Sequence, residues 1–277
     1  MDNCYIPRKA KIIDVIGETK SNLNIKTFRV RLLEGDMDFK PGQFAEVTVF
    51  GVGEAPFCIC SSPTQKDFME FSIKETGFLT SAIHNLSKDD EIGLRGPFGN
   101  NFPYEKMYGK NLVFVAGGIG LAPLRSLINY VLDEKNREEF GKVEMLLAFR
   151  SPEDLVYHWN FGDWEKSPDT SITYTIDRPY EGWQHKVGFP HTMLGDLKLL
   201  KDPDTFVVTC GPPVMIKFII QELVKMNIPA EKIITTLEMR MTCGIGKCGK
   251  CNIGHQYVCI DGPVFSLEQL SEMPGEY

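Results

Sequence analysis

Four cysteines fall within seventeen residues near the end of the chain, at Cys243, Cys248, Cys251 and Cys259, and no other feature restricts the fold as tightly. The spacing Cys-x4-Cys-x2-Cys-x7-Cys puts three thiols in one loop and a fourth just beyond it. Iron–sulfur clusters take four thiolates, and this order of gaps is that of plant-type [2Fe-2S] sites. Structural zinc modules instead show two similar short pairs, often with histidine. His255 is close by, but at no spacing that would replace a cysteine. Gly244, Gly246, Gly249 and Gly254 punctuate the segment, where backbone free of side chains can fold around sulfide and offer it N–H groups. Lys247 and Lys250 can offset the charge of a thiolate-bound cluster, or simply face solvent. Cys4, Cys58, Cys60 and Cys210 lie apart from this group and read by default as small buried hydrophobes.

The rest of the chain must supply a scaffold. At 277 residues it exceeds one ordinary domain, and the pattern divides it into three parts, 1–105, 106–236 and 237–277. The first is β-rich: Lys11–Ile16, Ile25–Leu32, Phe44–Phe50 and Met69–Lys74 read as short strands between Gly/Pro turns, the signature of an antiparallel barrel. In the second the period changes. Asn111–Ala116, Val143–Phe149, Ile172–Ile176, Phe206–Cys210 and Ile233–Leu237 are apolar runs, while Leu121–Leu132 and Pro213–Met226 carry helical spacing. That alternation gives a parallel α/β sheet. The expected fold class is therefore multi-domain β and α/β with a small C-terminal [2Fe-2S] module.

Some functions are excluded. A net charge of −7 without a Lys/Arg block argues against nucleic acid. The apolar runs are too short to cross a bilayer. The first ten residues hold no apolar stretch fit for a signal peptide, so the expected address is the cytoplasm, where clustered cysteines bind metal.

Two loops fall where a parallel sheet binds nucleotides. Gly117-Gly118-Ile119-Gly120 separates a strand from a helix, and Cys210-Gly211-Pro212 follows a later strand. At the carboxyl edge such glycines let a pyrophosphate approach the backbone; a tight strand–helix turn is the plainer reading of the first. Arg150-Ser151, with Asp154 beyond, follows the second strand. Arginine and serine there can clasp the 2′-phosphate of NADP, or Ser151 can serve only as a cap. The five histidines, His84, His158, His185, His191 and His255, share no spacing, and no Ser/His/Asp arrangement is evident.

In this order the parts resemble ferredoxin–NADP reductase-type flavoproteins, in the branch with a C-terminal [2Fe-2S] module. The segments Glu54-Ala55-Pro56-Phe57, Gly120 to Tyr130 and Cys259 to Phe265 are most similar to the γ subunits of cytoplasmic nickel–iron hydrogenases and to the corresponding electron-transfer component of anaerobic sulfite reductase. The dihydroorotate dehydrogenase electron-transfer subunit is related. The resemblance implies NAD(P)(H), a [2Fe-2S] cluster and a barrel-bound flavin, FAD by preference with FMN still open.

The family motif R-x-Y-S maps onto Ala55, Pro56, Phe57 and Cys58, followed by Ile59. Ala55 stands where an Arg usually meets the FAD pyrophosphate. Cys58 stands where a Ser usually bonds flavin N5, and a thiol is the weaker donor. Ser72, Lys74, Gly77, Leu79, Thr80 and Ser81 complete the implied flavin set. A helix over Ser81–Leu86 would receive the pyrophosphate, with Thr80 as a simple N-cap the alternative. Cys210 would position the nicotinamide. Tyr277 is similar to the terminal aromatic of plant-type reductases, a likeness read as coincidence because it follows the cluster segment. The implied function is an electron-transfer subunit passing electrons between NAD(P)(H), flavin and cluster to or from partner subunits. A stand-alone NAD(P)H–ferredoxin-type reductase and a non-catalytic nucleotide-binding scaffold with a zinc tail are the alternatives.

Overall fold

The computed structural model describes residues 3–274; Tyr277 lies outside them. Six antiparallel strands form the first sheet: β1 (Arg8–Gly17), β2 (Ile25–Leu32), β3 (Phe44–Val49), β4 (Gly53–Cys58), β5 (Met69–Lys74) and β6 (Glu91–Phe98). Their order is β4-β3-β6-β1-β2-β5. The edges approach where Cys60 N–H donates to Glu70 O at 2.9 Å. Alternation explains the curvature around one core: Phe28 and Val30 of β2 face inward, with Ala45 and Val47 of β3 and Phe71 and Ile73 of β5. Helix α1 (Phe78–His84) follows β5.

The second sheet contains β7 (Asn111–Gly117), β8 (Val143–Phe149), β9 (Thr170–Ile176), β10 (Lys186–Val187), β11 (Thr205–Cys210) and β12 (Ile233–Thr236). These six are parallel, in the order β10-β9-β8-β7-β11-β12. Helices α2 (Leu121–Leu132), α3 (His158–Lys166) and α4 (Pro213–Lys225) connect them. β7 shows why its sequence is apolar throughout. Leu112, Phe114 and Ala116 pack with Leu124, Leu127 and Ile128 of α2, whereas Val113 and Val115 pack with Ile219 and Leu223 of α4. A parallel strand covered on both faces has no polar side.

The tail forms a short hairpin, β13 (Asn252–Ile253) with β14 (Gln256–Tyr257), then α5 (Val258–Asp261), β15 (Val264–Ser266) and α6 (Leu267–Ser271). β15 adds to the second sheet antiparallel to β12. Meanwhile Cys251, Val258, Cys259 and Phe265 pack on Phe44 and Phe98 of the first sheet. The cysteine segment therefore touches both sheets. A β-barrel, a parallel-dominated α/β sheet and a C-terminal segment are the class expected.

Several elements differ from the sequence reading. β4 escapes the strand pattern because Gly53 and Pro56 interrupt it; it is an edge strand, where a proline withholds no needed donor. β6 ends in Gly96-Pro97-Phe98, which reads as a closing turn. Helix α1 covers Phe78–His84 and not Ser81–Leu86, since Thr80 folds its hydroxyl back onto the preceding turn. α3 has no clear helical period because it contains Gly162 and buries only Trp164.

Candidate nucleotide and cluster sites

The strand order reverses direction between β7 and β11. At such a switch point the connections leave on opposite faces and open a crevice beyond the carboxyl ends. Both glycine loops are there, and they touch. A Cβ on Gly120 would stand 2.6 Å from the Gly211 Cα and 2.7 Å from the Cys210 carbonyl carbon, so only glycine permits the approach. Gly118 has φ of 53°, and nothing lies within 4 Å of where its Cβ would be. That open space leaves the loop backbone accessible, with room for a phosphate-bearing ligand.

Cys210 ends β11, buried, with its Sγ accepting from Thr236 Oγ1 at 3.0 Å. Burial pushes its thiol up to about 12, against the Thr236 hydrogen bond and with the charge of Glu238 adding to the rise. Cys58 ends β4 on the barrel side. By exposed area it is half-buried, yet enough protein surrounds it that burial pushes its thiol well up. Cys60, Cys210 and Glu238 reinforce the shift. Cys58, Cys210 and the exposed Glu238 thus gather where the two sheets meet, and both thiols stay protonated. They can line and position a ligand; neither is an ionised nucleophile. Thr236 and Glu238 belong to no motif that the sequence displays. Their signal is position: they end and follow the last parallel strand, on the same carboxyl edge.

Arg150 is exposed at the end of β8. It neighbours Asp177, whose carboxyl is raised by burial while Arg150 pulls the other way. Ser151 Oγ donates to Asp154 Oδ2 at 2.9 Å, and Asp154 Oδ1 is buried without a partner among the described residues. Ser151 is therefore occupied in closing its own turn.

On the barrel side, Pro56 and Phe57 are half-buried along edge strand β4, while Ile59 turns into the barrel core. Ser72 is enclosed: its Oγ is 2.6 Å from Thr27 Oγ1, 3.4 Å from Cys60 Sγ and 2.5 Å from the Tyr157 hydroxyl that donates to it. The structure does not bring Ser72 to the cleft with the others. Lys74 and Leu79 are half-buried, and Gly77 is exposed. Thr80 Oγ1 accepts from Thr76 N and Gly77 N, both at 2.8 Å, and donates to Gly77 O. Its hydroxyl is committed to the turn. Ser81 neighbours Glu75 and is the main influence that lowers its carboxyl.

A buried ion pair joins α2 to the barrel strand β5. Arg125 of α2 reaches Glu70 of β5 at 2.5 Å and Cys60 O at 3.0 Å, and Ser126 donates to Ser61 O at 2.7 Å. Residues of the Gly120–Tyr130 segment thereby fix the α/β sheet against the barrel.

The cysteine loop is shaped by glycine at two positions. Gly244 has φ of 72°, and its Cβ would meet the Phe98 ring at 2.7 Å; Gly246 has φ of 70°, and its Cβ would meet Ile260 at 2.9 Å. Backbone N–H groups already point at sulfur: Gly246 N to Cys259 Sγ at 3.1 Å, Lys247 N to Cys243 Sγ at 3.3 Å. Burial opposes ionisation of Cys243, but N–H groups of Ile245, Cys248 and Lys247 bring its thiol down to about 7. Burial first, then the neighbouring Cys251 thiol, pushes Cys259 up to about 12. Among the described residues no three metal-binding side chains close on a single ion. The sulfurs neighbour one another as Cys243 with Cys248 and Cys251 with Cys259. Two thiol pairs suit two irons, each needing two protein thiolates. The residues fit a [2Fe-2S] cluster.

Comparison with known proteins agrees with this geometry. Residues 114–221 match the oxidoreductase NAD-binding domain family. Residues 238–271 match the iron–sulfur cluster binding domain of dihydroorotate dehydrogenase B. The sulfhydrogenase 1 gamma subunit of Pyrococcus furiosus is 35% identical, covering 99% of this chain and 95% of that one. A probable dihydroorotate dehydrogenase B (NAD(+)) electron transfer subunit of Methanocaldococcus jannaschii is 33% identical, covering 95% of this chain and 91% of its own length. Among solved structures, that of the NADH-dependent reduced ferredoxin-NADP oxidoreductase has a TM-score of 0.73 and covers 99% of this chain and 91% of its own. At 21% identity that is a likeness of fold. Among the described residues no helix is long and apolar enough to cross a membrane.

Proposed function

The chain belongs to the family of sulfhydrogenase gamma subunits and dihydroorotate dehydrogenase B electron-transfer subunits, and we infer from this that it is the NAD(P)H-linked, flavin- and [2Fe-2S]-containing subunit of a larger redox complex. On this reading its cofactors are FAD, a [2Fe-2S] cluster and NAD(P)(H), the family models covering the NAD-binding and iron–sulfur parts. Bound together, these groups supply two-electron exchange at a nicotinamide and one-electron exchange at iron. The protein's own work is placement. The stand-alone reductase reading is less favoured, because both curated relatives are named as subunits.

Gly118 would admit the dinucleotide phosphates at the switch point, with Gly120 letting the two loops meet, Gly117, Gly211 and Pro212 shaping them, and Arg150, Ser151 and Asp154 flanking the adenosine end. Cys210, supported by Thr236, would set the nicotinamide's position against the flavin, while Pro56, Phe57 and Cys58 line the flavin's place on β4. Gly77, Leu79, Thr80 and Ser81 would bound its phosphate end through their backbone, since the Thr80 hydroxyl is engaged. Cys243, Cys248, Cys251 and Cys259 would be the cluster ligands. A division into a flavin barrel of residues 1–105, a nucleotide-binding part of 106–236 and a cluster module of 237–277 fits these roles. β15 of the last part extends the sheet of the second. A reducing cytoplasm is the compartment in which four such thiols stay available to iron.

The observation that carries the reading is the clustering of four thiols, three in a loop and one on α5, with backbone N–H groups of that loop already facing sulfur. The test is anaerobic purification followed by analysis of iron, sulfide and flavin, with absorbance recorded on NADH addition. Yellow-brown protein bleached by NADH supports the assignment. Colourless protein containing zinc would replace it with the scaffold reading.

A further inference from the structure

The outer face of the barrel beneath the cysteine loop carries charge where a docking face is ordinarily apolar. Along β3, Ala45 and Val47 turn into the barrel core, so Phe44, Glu46 and Thr48 face the other way, and Phe44 packs with Cys251 and Cys259. Arg95 of β6 lies opposite Glu46 in the ladder and is 6% exposed. Its Nε and Nη2 grip both carboxylate oxygens of Glu54, at 2.9 and 2.5 Å. Nη1 donates to Cys4 O at 2.8 Å, and Nη1 and Nη2 reach Cys243 O at 3.3 and 3.4 Å. The Phe98 ring lies under the guanidinium, 5.4 Å from centroid to Cζ, and also against Gly244.

A planar guanidinium held at two points by one carboxylate cannot swing away. Its remaining donors are spent on the main chain, including that of a cluster ligand. Glu54 itself comes from the Glu-Ala-Pro-Phe segment, whose next residue, Ala55, lacks the family's arginine.

We propose that Arg95, locked by Glu54, is a positioning residue for the iron–sulfur centre. It ties the Cys243 end of the loop to the barrel and keeps a permanent positive charge beside that ligand. The proposal rests on the assignment of the four cysteines to a [2Fe-2S] cluster. A centre gains negative charge on reduction, so a fixed cation at short range favours its reduced form and raises its potential.

The test is an EPR-monitored redox titration of the full chain, with iron analysis, for the wild type and for Arg95→Gln, Arg95→Lys and Glu54→Gln. Arg95→Gln should keep its iron and lower the midpoint. The expected shift corresponds to roughly a tenfold change in the oxidised-to-reduced ratio at fixed poise, about 59 mV for one electron. Arg95→Lys, which retains the charge without the fork, should recover most of that shift while altering the EPR line shape. Glu54→Gln removes a negative charge, so its midpoint should rise. Arg95→Gln with full iron and an unmoved midpoint would overturn the proposal. If that variant loses iron, the sign of the Glu54→Gln shift decides, and a midpoint that stays put or falls is fatal. Wild-type protein without iron defeats the cluster assignment itself, and this proposal with it.

Discussion

Replacing Arg125 by methionine should destabilise the protein more than any surface change, and the reason lies in what it leaves behind. Arg125 and Glu70 are 3% and 2% exposed in their side chains. Besides Glu70, the guanidinium serves Cys60 O at 3.0 Å and Asn160 Oδ1 at 2.8 Å, and it lies over the rings of Tyr157 and Trp159 at 4.7 and 4.6 Å. Arg125→Met keeps most of the apolar contact but leaves Glu70 Oε2 in the core without its cation, with Arg29 still held on Oε1. Removing one member of a buried pair costs about 3–5 kcal/mol. At about 2–4 °C per kcal/mol for a chain of this size, the melting temperature falls by roughly 6–20 °C. Changing both residues, Arg125→Met with Glu70→Leu, should return much of that loss, because no charge is then stranded. Arg29, the second cation on Glu70 at 2.8 Å, is 26% exposed and keeps Asp14. Thermal unfolding of the loaded protein gives the magnitudes, and hydrogen exchange along β5 and α2 locates the loosening at the junction of the sheets. A single variant within about 1 kcal/mol of wild type, or a double variant worse than the single, would refute this use of the buried-pair asymmetry.

Other expectations follow from the same geometry. Glu46 is fully buried with neither carboxylate oxygen hydrogen-bonded among the described residues. Burial first, then Glu54, raises its carboxyl from 4.5 to about 7 against the pull of Arg95. The folded form thus binds the proton more tightly, so this group's stabilisation is complete below about 4.5 and lost as pH rises through 7. The size is on the order of 3 kcal/mol; Glu46→Gln should flatten that part of the stability–pH curve, and a variant curve parallel to wild type contradicts it. Cys58→Ser puts a stronger donor at the flavin's expected place and should move the flavin midpoint, whereas an unchanged titration removes Cys58 from that position. Because Ser151 is engaged by Asp154 and Arg150 neighbours Asp177, NADH should give a higher kcat/KM than NADPH; the reverse order would return Arg150 and Ser151 to a phosphate clasp.

The parts most legible in the sequence are those with a single physical demand. β7, β8 and β11 are covered by helices on both faces, so their apolar runs fit only buried strands. The cysteine gaps follow the order of plant-type [2Fe-2S] sites, a pattern visible in spacing alone. β4 is hidden because Gly53 and Pro56 are strand breakers everywhere except at an edge. Thr80 belongs to the flavin set that the family resemblance implies, but its hydroxyl closes a turn, a choice made by three-dimensional distance alone. Arg125 falls inside a segment that stands out for its family likeness, yet its partner Glu70 is on another sheet. The gathering of Cys58, Cys210 and Glu238 is of the same kind: residues far apart along the chain converge only when two sheets dock, and no local period records it.

Mössbauer spectroscopy of iron-57-enriched protein, reduced anaerobically, bears most directly on the assignment of the four cysteines. Pairs of thiolates from Cys243 with Cys248 and from Cys251 with Cys259 should give two tetrahedral, sulfur-bound irons, one ferric and one ferrous, coupled to a single unpaired spin. A lone iron site, or protein that takes up zinc and no iron under the same preparation, would contradict the cluster and the electron-transfer role built on it.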